Sequence, residues 1–136
     1  MFSLLLGGCS LETNSISSFG PKVVIDDNTK PVKDVCYQVF GAYLTYLQGK
    51  NISDEMRITD YSIDQIKVEQ VINGSNGEVK YIFSTSYSIL PANSKRFSLT
   101  GSGVKLNNGW IEQKFHVFEV TKTKNTYRIT GIATGK

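Results

Sequence analysis

His116 is the only histidine in the chain, and histidine is the side chain that most readily moves a proton near neutral pH. It follows Glu112 by four residues and Lys114 by two. An unbroken strand would put all three on one face, which their polarity assigns to water. No serine or cysteine stands near His116 to act as its nucleophilic partner, so a surface histidine is the expectation. Zinc-binding HExxH, the GxSxG elbow, the phosphate-binding glycine loop and CxxC are all missing. Asp26-Asp27-Asn28 lacks the spaced ligands and closing glutamate of a calcium loop and reads as a turn. Neither a metal nor a cofactor is expected. An acid/base site needs a carboxylate or histidine deep in a cavity, and the strand pattern places none there.

Charge is equally unspecific. The net charge is +3, with eight basic residues from Lys95 onward against Glu112 and Glu119. They are dispersed along alternating strands without an aromatic-studded RNA-binding signature, so no nucleic-acid partner is expected. Ordinary apolar content excludes global disorder and a protein of many membrane spans. A length of 136 residues fits one domain with one core.

The element that must organise that core is the stretch 31–48. Val32, Val35, Cys36, Val39, Phe40, Tyr43, Leu44 and Leu47 recur at alternating threes and fours, one buried stripe on an α-helix. Cys36 lies in that stripe and reads as a buried, inert thiol. Asn28 or Thr29 is the expected N-cap, Pro31 suits the first turn, and Gly49 ends the run. After a polar connection whose Ile52, Met56 and Ile58 can plug the end of the core, the chain reads as antiparallel strands.

A first strand is expected at about 61–72, with Ile66, Val68 and Ile72 alternating against Lys67, Glu69 and Val71. Asn73-Gly74-Ser75-Asn76-Gly77 makes a hairpin connection. The clearest strand is 79–90, where Val79, Tyr81, Phe83, Thr85, Tyr87 and Ile89 share a face. A further strand is expected over 96–106, bent at Gly101 and Gly103. The stretch 110–123 changes phase, with Ile111, Phe115 and Val117 on one side and Phe118 and Val120 on the other. A β-bulge near Val117–Phe118 would restore one buried face. Lys124-Asn125 turns into a last strand carrying Tyr127, Ile129 and Ala133. The expected fold is α+β: one main N-terminal helix packed in a curved antiparallel sheet of four to five strands. Phe40, Leu44, Leu47, Phe83 and Phe115 should be buried.

At the other end, Leu5-Leu6-Gly7-Gly8-Cys9-Ser10 resembles a bacterial lipobox, in which the cysteine receives lipid. Only eight residues precede Cys9 and none is basic. Either the natural start lies upstream or the likeness is accidental. The expected organisation is a residual signal segment at 1–9, a polar tether at 10–29 and one domain at 30–136. Val23-Val24-Ile25 is placed as a short edge strand or as packing across the start of the helix.

In that order the chain resembles the cystatin-like and nuclear-transport-factor-2-like superfamily. More closely, it is similar to a family of small Gram-positive lipoproteins of unknown function. The resemblance is carried by Ile58-Thr59-Asp60-Tyr61-Ser62-Ile63, by Gly109-Trp110, and by Tyr127-Arg128-Ile129-Thr130-Gly131-Ile132-Ala133-Thr134-Gly135. The resemblance implies the fold but supplies no activity; with the catalytic patterns missing and the lipobox-like start, the leading expectation is a non-enzymatic, extracytoplasmic binding or accessory domain, held on the membrane by lipid on Cys9, with an unidentified protein or small molecule as ligand. Some members of the superfamily are isomerases or dehydratases with a pocket between helix and sheet. Cys36, Tyr43, Tyr81 and Tyr87 are the residues expected to line such a pocket here. A third reading rests on Gln70-Val71-Ile72-Asn73-Gly74, which is similar to the Gln-x-Val-x-Gly hairpin of cystatin inhibitors. With Gly20 and Trp110 it would form a wedge for a cysteine-protease cleft.

Overall fold

The computed structural model describes residues 20–98 and 102–133. Its elements are β1 (Val23–Val24), α1 (Val32–Tyr46), β2 (Ile58–Asn73), β3 (Glu78–Pro91), β4 (Val104–Lys105), β5 (Ile111–Thr123) and β6 (Thr126–Ala133). The strands pair antiparallel in the order β1-β6-β5-β3-β2, with β4 added on β5, and the sheet curls strongly around α1. The α+β arrangement read from the sequence is the one observed, with six strands rather than four to five.

The stripe on α1 buries Val35, Cys36, Val39, Phe40, Tyr43 and Leu44 against the concave face. Phe40 sits at the centre, its ring 4.8 Å from that of Phe118 and 5.1 Å from that of Tyr87. Phe40, Leu44, Leu47 and Phe83 are buried as expected, whereas Phe115 is only half-buried. The expected N-cap is corrected: Pro31 occupies that position without a side-chain cap. The Thr29 hydroxyl instead donates to Asp27 Oδ1 at 2.6 Å, and Thr29 N–H donates to the same oxygen, closing an Asx turn ahead of the helix. Beyond the helix, Ile58 N–H donates to the Leu47 carbonyl at 3.1 Å, fastening α1 to the start of β2.

Packed structure begins before residue 30. β1 pairs with β6, Ile25 is buried, and Gly20, with φ of 88°, lies so close to Tyr43 that a Cβ would stand 3.0 Å from its ring. The second half of the 10–29 stretch, from Gly20, thus packs with the domain.

Curvature comes from extra residues in particular strands. β2 carries one extra residue at each of three register shifts against β3, between Ile58 and Asp60, Ile63 and Gln65, and Val68 and Gln70. Each bulge bends the strand and resets its alternation. Ile66 is therefore buried while Ile72, expected beside it, is exposed. Among the described residues of the expected strand at 96–106, β4 alone is strand. Asn93 is the reason: its backbone carbonyl accepts from Arg96 and Phe97, and its Oδ1 from Lys95 and Arg96, winding a turn that drops Phe97 against the core.

The phase change in β5 falls earlier than expected. Tyr87 pairs with Lys114 and Ile89 with Ile111, so the one residue between them on β3, Ser88, faces two on β5, Glu112 and Gln113. Gln113 takes up the bulge with φ of 59°. From there Lys114, His116, Phe118 and Val120 are buried together with Ile111, while Phe115 and Val117 lie half-buried on the other side.

Candidate functional site

The bulge at Gln113 turns a lysine and a histidine towards the helix. His116 is 6% exposed and Lys114 5%, so the expectation that both face water is overturned. The cause is the demand of Ile111, Phe118 and Val120 to be buried together; with the extra residue at 112–113, Lys114 and His116 share their phase. Tyr87 arrives from β3 in the inward phase already set by Tyr81, Phe83, Thr85 and Ile89. Its hydroxyl lies 2.9 Å from His116 Nδ1 in a buried hydrogen bond. Lys114 Nζ donates to the Ser102 carbonyl at 3.1 Å.

These three side chains line one end of a cavity of about 170 Å³ between the C-terminal half of α1, the turn ahead of β2, and the sheet. Its walls are mostly apolar, with Leu44, Leu47, Met56, Ile58 and Phe97, and Ser98 joins them where the cavity opens to solvent. Phe97 is held there because Ser98 N–H donates to the Glu55 carbonyl and Ala92 N–H to that of Arg57. Glu55 itself is exposed at the rim.

Burial sets the protonation states. It lowers His116 from 6.5 to about 4, and the nearby Lys114 charge adds to the effect, so the imidazole is neutral at pH 7. Burial raises Tyr87 far above the usual phenol range, with Tyr43 contributing, and lowers Lys114. The Tyr87 proton needs an acceptor, and His116 Nδ1 is the one in reach. With the Tyr87 hydroxyl as donor in that bond, the imidazole carries its own proton on Nε2; His116 lines the cavity.

Of the residues expected to line a pocket, Tyr43 and Tyr87 do so. Cys36 and Tyr81 do not. Cys36 is wholly buried, its thiol pushed up to about 12 by burial, which makes it a poor nucleophile. Tyr81 stacks on Tyr127, with ring centres 6.3 Å apart. Sequence reasoning missed Lys114 and His116. The one available signal was Glu112-Gln113, adjacent polar residues that a bulge exposes together at little cost.

The hairpin reading is not assembled. Gln70, Val71, Ile72 and Gly74 are exposed near the β2–β3 turn, where Glu78 pairs with Thr123. Trp110 precedes the far end of β5, where Ile111 pairs with Ile89. The two hairpins thus lie at opposite ends of β3 and present no common edge. Cys9 lies outside the described residues. Among those described, no three His, Cys, Asp or Glu side chains converge as metal ligands, and no helix is long and apolar enough to cross a membrane. Comparison of the chain with protein-family models, with curated proteins and with solved structures returned no match.

Proposed function

We propose that this is a binding domain that takes a small molecule into the cavity between α1 and the sheet, and that lipid on Cys9 holds it at the outer face of a bacterial membrane. The observation that carries the binding half is the cavity itself, with apolar walls around a buried Tyr87–His116–Lys114 cluster at one end. Pockets that hold small molecules have this composition, an apolar lining with a few placed polar groups. The lipobox-like Leu6-Gly7-Gly8-Cys9-Ser10, followed by a polar stretch, supports the anchoring half.

Titration of the full chain with small aromatic and aliphatic fragments, followed by backbone amide NMR, tests the cavity. Shifts should concentrate at Leu47, Met56, Ile58 and Phe97, and Met56→Trp, which fills the space, should abolish them. Shifts scattered over the surface, or unchanged by Met56→Trp, would reject the reading. A proton-transfer enzyme of the isomerase or dehydratase kind is a second reading, favoured by one observation, a histidine in the cavity wall whose burial disfavours its charged form. Deuterium exchange into a carbon of a bound fragment would mark it; binding without exchange supports the first reading.

A further inference from the structure

We infer that the cavity selects a monocarboxylate with a compact apolar tail, its carboxylate received by the His116 Nε2–H beside the Lys114 ammonium. The inference rests on the reading of the cavity as a binding site and gives it a ligand class.

Four features converge on it. The Tyr87 hydroxyl and His116 Nδ1 share a buried hydrogen bond of 2.9 Å, and with the hydroxyl donating, Nε2–H is a donor in place before any ligand arrives. Lys114, two residues earlier on the same face of β5, carries a positive charge close enough to act on the imidazole. The ammonium needs no vacant hydrogen bond for this role, because its field alone favours an anion at Nε2. A carboxylate there forms a charge-assisted hydrogen bond in surroundings drier than water, where such bonds are strongest.

The tail follows from the walls. Leu44, Leu47, Met56, Ile58 and Phe97 offer only apolar contact. The volume of about 170 Å³, in a site open to solvent on one side, has room for a tail near the size of one aromatic ring. Glu55 at the rim adds the opposite constraint. Its exposed carboxylate repels a second negative group where a longer or dianionic ligand would emerge. A cationic ligand would meet Lys114 at the polar end instead. One negative charge, buried end first, is the ligand this arrangement accepts.

Calorimetric titration of the full chain at pH 7 and low salt, with benzoate, benzyl alcohol and benzylamine as probes, decides the matter. Benzoate should bind about tenfold or more tightly than benzyl alcohol, the effect of roughly one charge-assisted hydrogen bond, and benzylamine should bind weakest. Lys114→Met and His116→Phe should each reduce the benzoate preference to about threefold or less while benzyl alcohol still binds. His116→Gln, which restores a side-chain N–H donor, should recover part of it. Equal affinity for benzoate and benzyl alcohol, or a benzoate preference that survives both substitutions, would overturn the carboxylate assignment and leave the cavity reading standing. Failure of all three probes to bind, with the Met56 and His116 resonances unmoved, would overturn both.

Discussion

His116 and Lys114 show how burial changes what a residue can do without changing its identity. On the wet face of a strand His116 would titrate near 6.5; inside, its midpoint drops to about 4. That shift links the site to stability. Between those two values the unfolded chain holds a proton on His116 that the folded chain does not. Stability from this residue is therefore complete above about 6.5 and falls as the pH drops towards about 4. Tyr87, pushed upward, stays neutral throughout that window, and Lys114 and the rim residue Glu55 are the charged groups that face the same cavity. Urea unfolding at pH 7.5 and pH 5 should show a loss of stability in wild type that is smaller in His116→Phe. Equal losses in the two proteins would mean that His116 contributes nothing to the acid side.

At the scale of elements, the bulge in β5 decides which residues meet the helix. Gln113 adopts a left-handed conformation with φ of 59°, costing about 1–2 kcal/mol relative to glycine. Gln113→Gly should therefore raise the thermal midpoint, and Gln113→Val, with a β-branched side chain at positive φ, should lower it. The opposite order would place Gln113 in regular strand geometry and move the bulge elsewhere. α1 and β3 were legible in the sequence because a single period runs through each without interruption. β5 was legible only as a phase change. Its apolar residues occupy both phases, and alternation alone does not say whether the extra residue lies at Gln113 or nearer Phe118. β2 was harder still, since three extra residues reset its pattern and left Ile72, expected on the buried face, 40% exposed. The site was illegible for the same reason. Tyr43 and Tyr87 come from the regular elements and were anticipated, whereas Lys114 and His116 lie just past the bulge.

At the scale of the whole molecule, a curled sheet closes around one helix and leaves a cavity near the helix end, where the turn at 53–58 and Phe97 form its walls. If the molecule is anchored through Cys9, the native protein in its own host should fractionate with membranes. Cys9→Ala should then release it or leave it unprocessed, because stable residence needs more than one acyl chain and that modification supplies at least two. Mass spectrometry of a mature protein that keeps residues 1–8 and an unmodified Cys9 would remove the anchor from the account. The binding account stands or falls separately, on whether β5 presents Lys114 and His116 to the interior. Because the chain contains a single histidine, its ring-proton NMR signal can be followed without assignment. The expected titration is flat from pH 8 to pH 5.5, with a midpoint at about 4. A midpoint near 6.5 would put His116 in water and contradict the site.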